Sequence, residues 1–494
     1  MKIAGLDIGT TGCKCTVFDE QGKYLGRAYR DYPVKRRMGS HEADASAIMD
    51  GVYCVLAEMA RAYPDIAGIG VTSFGETFVM TDEQGMPLYP AILYTDSKGS
   101  AECGELEELL GAKTIADITG LRPHETYSLP KMMWLKKHHP EVVDAAKYAF
   151  LMEDYVVFHL TGKRQIDYSL ASRTMAFDIR KMCWSEKIFE TAGIPVAWMS
   201  EPVPTGTDAG VIREAAAEKT GLSKETHIVS ISHDQVAAAV GAGIFNGNIA
   251  LDGAGTSQCL GPVFDSFPNA EVMYEGNYAI VPYAIPGKYM SYAYSFTGGA
   301  LIQWCVDTLA KKEKDMAGQM GISVNSYLEK RSESPTGLLV LPHFAGAATP
   351  YMDSGSKGAV LGMTVETTAA DIYRACMEGV VYEMYLNAKA LDGSGSHFER
   401  LHATGGGAHS REWMQMKADV LNMPMTALKT VDAGTVGSAM LTGIAIGVFK
   451  DLEDAAGYMV EKTETFYPNR EMHEKYMKIF ERYEKVYKAV RPLM

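Results

Sequence analysis

Short apolar runs of strand length, each stopping at a cluster of Gly, Thr, Ser or Asp, alternate along this chain with longer stretches whose apolar residues recur at helical spacing. Residues 3–8 read as an apolar strand, Gly9-Thr10-Thr11-Gly12 as a turn and Cys13 to Phe18 as a second strand, with Asp19-Glu20-Gln21-Gly22 closing a hairpin. An amphipathic helix follows over 44–62. A strand from Ile66 to Thr72 leads through Ser73-Phe74-Gly75-Glu76-Thr77 into another, Phe78 to Thr81, and the Asp-Glu-Gln-Gly turn returns at 82–85. Ile92 to Lys98 reads as a strand ending in polar residues. The region 101–180 reads as mostly helical, with Gly162 as a helix C-cap and Trp134 and Tyr155 as core residues. Ile228 to Ser232 is a strand that stops at His233-Asp234-Gln235, just before a helix of small residues, Val236 to Gly243. Later come a buried strand breaking into a loop over 338–349, a helix from Thr368 to Leu391, a strand entering Gly405-Gly406-Gly407, a helix from Arg411 to Leu421 and a small-residue helix over 434–447. Amphipathic helices are expected from Asp451 to Val490.

The pattern of the first hairpin returns half a chain later. Gly255-Thr256-Ser257 stands over Gly9-Thr10-Thr11, Cys259 over Cys13, and Val263-Phe264-Asp265 over Val17-Phe18-Asp19. An acidic residue precedes each turn, Asp7 in one and Asp252 in the other. The reading is two related α/β domains facing each other, residues 1–245 and 246–494. The 494 residues exceed what a single hydrophobic core usually serves, which agrees with that division.

Composition narrows the partners. A 47% hydrophobic and 22% charged chain is an ordinary globular one. The net charge of -14, without a Lys/Arg run, argues against a nucleic-acid partner, whose phosphates need a positive surface. The small-residue run Gly434 to Phe449 is shorter than the ~20 residues of a membrane helix, so no membrane partner is expected. The 8 cysteines show neither a Cys-x-x-Cys nor a zinc-like cluster, and Asp7 interrupts the first apolar run before it could serve as a secretion signal. Buried thiols in a reducing cytoplasm are the expectation.

Several turns could carry chemistry. Glycine lets backbone N–H groups approach an anion, and Thr hydroxyls or Lys14 can add hydrogen bonds to phosphate oxygens. Alone, the Gly-Thr-Thr turn reads equally as a hairpin without a ligand. Glu76, at a strand end, is either an acceptor for substrate hydroxyls or a solvated loop acid. Asp234 is either a helix N-cap or a general base, with His233 as a rival base. Gly298 and Gly299, entering a helix, and the later triple glycine permit close backbone approach.

In their order along the chain, these hairpins and glycine turns resemble the ATPase core shared by actin, the 70-kDa heat-shock chaperones and sugar kinases. That core implies two duplicated ribonuclease H-like (actin-like ATPase) domains with ATP in the interdomain cleft. Within that superfamily the chain resembles the FGGY carbohydrate kinases over nearly its whole length. The resemblance rests on GLDIGTTGCK at 5–14, PAILYTDSK at 90–98, PKMMWLK at 130–136, DYVVFHLTG at 154–162, HDQVAAAVGAG at 233–243, FTGGALIQW at 296–304, GAVLGMTVETTAADIYRACME at 358–378, ATGGGAHSREWMQMKADVLNMPM at 403–425 and GTVGSAM at 434–440. Cys376 departs from the small or aliphatic residue usual at its place.

The resemblance implies that Asp234 is the base for the attacking sugar hydroxyl. It makes Thr10, Thr11 and Lys14 the first phosphate hairpin, Gly255 and Thr256 the second, Gly298, Gly299 and Gln303 a nucleotide-side loop, and Gly405, Gly406 and Gly407 the adenosine turn. Asp7 and Asp252 are placed to hold Mg²⁺ through water. Gly75, Glu76, Tyr94, Asp96 and His233 fall on the sugar side. Xylulokinases resembling this chain carry Met-His where Gly75-Glu76 stands, and glycerol kinases Arg-Glu, while Phe74-Gly75 resembles a fuculokinase pattern. The implied activity is ATP-dependent phosphorylation of a ketopentose or deoxy-ketohexose, with glycerol, another polyol or a sugar acid as alternatives. A non-enzymatic nucleotide switch of the actin or chaperone kind is the reading from a different class. Dimers are common in the family, so the resemblance leaves a homodimer open, while the sequence itself does not set the oligomeric state.

Overall fold

Each half of the chain builds a sheet of the same wiring. The computed structural model describes residues 1–37, 40–429 and 432–494. In the first half, strands lie in the order Thr207–Val211, His227–His233, Ile66–Ser73, Lys2–Ile8, Gly12–Asp19 and Tyr24–Asp31. The hairpin Lys2–Ile8/Gly12–Asp19 is antiparallel. Ile66–Ser73 and His227–His233 then add in parallel, and Thr207–Val211 closes that edge antiparallel. In the second half, the hairpin Ile249–Ala254/Gln258–Phe264 is followed by parallel Arg400–Thr404 and Met425–Leu428, and by antiparallel Lys462–Phe466. The duplication seen at two turns therefore runs through the wiring of both sheets.

Most elements fall where the apolar pattern puts them. The helices Ala45–Ala62, Ala369–Ala390 and Arg411–Leu421 match their sequence expectations within a residue or two, and Gly162 caps its helix in the left-handed region with φ 84°. Tyr155 is fully buried, and Trp134 packs against the same half's core. Two expectations need correction. The stretch from 451 contains the strand Lys462–Phe466 between its helices; as a sheet-edge strand its Lys and Glu side chains face solvent, which hid its alternation. The strand expected from Ile92 to Lys98 is only Ala91–Ile92 before the chain turns, whereas 101–180 is mostly helical as expected, with short strands such as Tyr148–Leu151, which pairs with Phe78–Thr81.

The two halves meet through helices of small residues. Helix Ala433–Ala445 lies on helix Asp234–Gly241 and on strand Lys2–Ile8 of the first half. A Cβ at Gly437 would stand 1.9 Å from the Ala237 carbonyl oxygen, and one at Gly5 2.1 Å from that of Thr435. Backbones this close leave room only for glycine. Parallel strands of both sheets end at a common face, at Ile8, Ser73 and His233 on one side and at Ala254 and Thr404 on the other. In open α/β sheets, ligands bind beyond such carboxyl ends. Among the described residues, no helix is long and apolar enough to cross a membrane.

Candidate active site

A cavity of about 500 Å³ opens where those strand ends face each other. Asp7, Lys14 and Asp234 line it from the first half, and Gly253, Gly255, Ser257, Gly405 and Gly406 from the second. Asp7 and Lys14 are direct cross-strand partners in the first hairpin, so their side chains leave the sheet on one face. Lys14 Nζ sits 2.9 Å from Asp7 Oδ2 and 2.5 Å from Asp432 Oδ2. Asp432, which the sequence reading passed over, caps helix Ala433–Ala445 by accepting from the Thr435 N–H. Burial works against the Lys14 charge, yet Asp7 and Asp432 raise its pKa above the usual lysine range.

Asp234 begins the helix Asp234–Gly241 directly after strand His227–His233, and it does not act as that helix's cap. Burial raises its pKa to about 6, with Glu76 adding repulsion against hydrogen bonds from Gln235 and attraction from Lys14. A carboxylate tuned near neutrality can take a proton from an alcohol as it attacks. His233 is the weaker base: burial, then Arg173, lower its pKa to about 3, and its Nδ1 lies 3.1 Å from the Tyr292 hydroxyl.

The residues assigned to the sugar side separate into two groups. Gly75 and Glu76 form a tight turn in which Glu76 takes φ 62°, a left-handed conformation uncommon for glutamate. Glu76 is buried and its Oε1 accepts from Arg173 Nε at 2.8 Å and from Nη2. Tyr94 is raised in pKa by burial and interacts with Thr10, joining this side to the first hairpin. Asp96 departs from its expected role. Its Oδ2 accepts from the His41 N–H at 2.6 Å and from Lys98 Nζ at 2.9 Å, and its Oδ1 from the Lys98 N–H at 2.8 Å, so it ties a loop to strand Ser40–Ala43; like Gly75, Glu76, Tyr94 and His233, it does not line the cavity.

On the nucleotide side, Gly405 adopts φ 86° with the Ala254 oxygen 2.7 Å from where its Cβ would stand, and Gly406 has open space there. Gly407 packs on Trp413 and does not line the cavity. Gly298 and Gly299 donate their N–H groups to the Thr256 and Gly255 carbonyls at 2.8 and 2.9 Å. They brace the second hairpin, and those N–H groups are already used. Gln303 is exposed, bonds Asp307 and lies outside the cavity lining; Thr10, Thr11 and Thr256 stand at the two turns without lining it.

Asp252 does not fit its expected role. Its side chain has no exposed surface, and both oxygens accept from Lys417 Nζ, at 2.9 and 2.8 Å. Counted back from the turn glycine, Asp7 stands two residues before Gly9 but Asp252 three before Gly255. A strand's side chains alternate faces, so the position matching Asp7 is Gly253, which does line the cavity. The residues that fit a hydrated Mg²⁺ are instead those around Asp7, whose buried Oδ1 has no hydrogen-bond partner.

Two facing sheets of one wiring, with a carboxylate-lined cleft between glycine turns, are the architecture of the two-domain, actin-like ATPase fold. The FGGY carbohydrate kinase N-terminal domain matches residues 2–241 and the C-terminal domain 253–446. The chain belongs to the FGGY family of carbohydrate kinases, a family of enzymes. Xylulose kinase from Staphylococcus epidermidis (strain ATCC 12228) is 27% identical to it over 99% of this chain and 97% of its own length. Glycerol kinase from Alkaliphilus oremlandii is 30% identical over 91% and 90%. The structure of ligand-bound xylulose kinase from Lactobacillus acidophilus superposes with a TM-score of 0.90, at 22% identity, over 99% of this chain and 98% of that one.

Proposed function

We propose that the protein transfers the γ-phosphoryl group of ATP to a hydroxyl of a small sugar, a ketopentose or deoxy-ketohexose first and glycerol or another polyol second, with Asp234 as general base. The observation that carries this reading is Asp234 itself: a half-buried carboxylate with its pKa raised to about 6, on the wall of a cleft bounded by the two glycine hairpins. Residues 1–245 supply the sugar side and the base, and residues 246–494 the adenosine side, in the cytoplasm where the free thiols stay reduced.

The chain's own groups divide the work. Asp234 accepts the proton of the attacking hydroxyl. Lys14, held between Asp7 and Asp432, presents positive charge at the first turn, where phosphate oxygens enter. Asp7, with its unpartnered Oδ1, holds the water shell of Mg²⁺, which when bound offsets the charge of the phosphates. Gly255, Gly405 and Gly406 let the nucleotide approach the backbone. Positioning and electrostatics are what such a transfer requires of the protein. Coupled measurement of ADP release with ATP, Mg²⁺ and a panel of xylulose, fuculose, glycerol and gluconate tests the reading. Sugar-dependent release with a neutral ketose is expected, and no release with any member contradicts it.

A further inference from the structure

An arginine absent from the candidate set stands in the sugar side. Arg173 follows the short helix Tyr168–Ser172 in an otherwise apolar run, is 7% exposed, and gives Nε and Nη2 to one oxygen of Glu76. Its Nη1 is buried and makes no well-formed hydrogen bond, with the Tyr127 hydroxyl near enough to the guanidinium to interact with it. Buried guanidinium donors are almost always satisfied, so an open one beside a base marks a place where a ligand oxygen completes the set. The guanidinium carbon lies 5.2 Å from the Tyr127 ring and 5.7 Å from that of Tyr292, the second contributed by the other half of the molecule.

Gly75 is what makes room for it. A Cβ at residue 75 would stand 3.0 Å from Arg173 Cγ and 2.9 Å from His233 Cδ2. The space beside Glu76 that a side chain at 75 would take is therefore filled by Arg173 and His233. An Arg-Glu pair is absent from the sequence at 75–76 but present in space.

We propose that Arg173, resting on the kinase reading above, is the specificity-determining residue of this site: with Glu76 it forms a donor–acceptor pair that binds two adjacent oxygens of a neutral sugar. Nη1 donates to one oxygen and the second carboxylate oxygen of Glu76 accepts from a neighbouring hydroxyl. Charge selects the class. The Arg173 charge is balanced by Glu76, while Asp234 adds a negative group nearby and the buried Lys131, which also interacts with Glu76, a positive one. These charges offset one another and leave no surplus cation for a substrate carboxylate, so the site favours a neutral sugar over a sugar acid.

The test compares wild type, Arg173→Lys and the charge-free pair Arg173→Met/Glu76→Gln. It measures kcat and KM for xylulose, glycerol, gluconate and ATP, calorimetric binding of the same sugars, and melting temperature. Arg173→Lys keeps the positive charge but loses the planar fork, so the KM for the neutral sugar should rise about 10-fold or more while the KM for ATP stays within about 2-fold. The double variant, which leaves no buried charge unpaired, should fold and show the same loss of sugar binding. Gluconate should neither bind nor turn over. An unchanged sugar KM and affinity in Arg173→Lys would overturn the proposal and leave Nη1 to a structural water, and preferred binding of gluconate would overturn the charge argument. If wild type releases no ADP with any sugar, the kinase reading fails separately, and calorimetry still decides whether sugar binding depends on Arg173.

Discussion

The two hairpins of this protein share a motif and a fold but differ in charge. In the first, Asp7 faces Lys14 across the strands, lines the cavity and keeps one buried oxygen without a hydrogen-bond partner. In the second, Asp252 faces Leu260, stands on the opposite side of its strand, and draws its cation from Lys417 on the helix Arg411–Leu421. Gly253 then occupies the wall where a carboxylate would match Asp7. Duplication has preserved hydrogen-bond wiring, while the side chains have divided into a charged jaw and a bare one. A cleft built this way carries carboxylates on one wall and none facing them at the matching position of the other.

Substitutions at the paired positions separate these roles. Asp7→Asn should lower kcat by about 100-fold or more and raise the Mg²⁺ needed for half-maximal rate, with little change in melting temperature, because it weakens the hold on the cation. Near-normal Mg²⁺ dependence in this variant would break the contrast. Asp252→Asn should act on stability: it leaves Lys417 buried without its counter-charge, at a cost of about 3–5 kcal/mol in denaturant unfolding, while kcat of the folded enzyme stays within about 2-fold. Replacing both, as Asp252→Leu/Lys417→Met, should recover much of that loss, and a catalytic defect surviving this repair would return Asp252 to the active site.

The smallest expected effect is on pH. The raised Asp234 pKa, near 6, means the base is ionised above that pH and protonated below it. With Glu76, Gln235 and Lys14 as its neighbours, kcat/KM should be flat above about pH 7 and fall up to tenfold per unit below about 6. A limb near 4 would show that burial does not tune this group.

Much of this was legible in the chain because it is local. The hairpin turns, the Asp234 strand end and the buried helix over 434–447 each announce themselves within a few residues of apolar pattern. The repeat was legible too, with Gly9 over Gly255; Asp252 stands one residue before the position that matches Asp7, and that it faces Leu260 and no cation across the strands needs the strand pairing. Lys417, Asp432 and Arg173 could not be read that way. Each acts from a remote segment; for Lys417 and Arg173 the only sequence signal is a charge at a buried position, as with Arg173 between Leu170 and Phe177, while Asp432 carries the signal of a helix cap. The strand Lys462–Phe466 was hidden for the opposite reason, since its exposed edge carries a helix-like density of Lys and Glu.

The most direct test of the account is Asp234→Asn assayed with saturating ATP, Mg²⁺ and the neutral sugar that wild type uses best, with sugar phosphate followed by phosphorus NMR and ATP affinity by calorimetry. The account predicts a fall in kcat of about 100-fold to 10,000-fold with ATP affinity within about 3-fold of wild type, since only proton acceptance is removed. Sugar phosphate formed at close to the wild-type rate would contradict it and move the proton to another group.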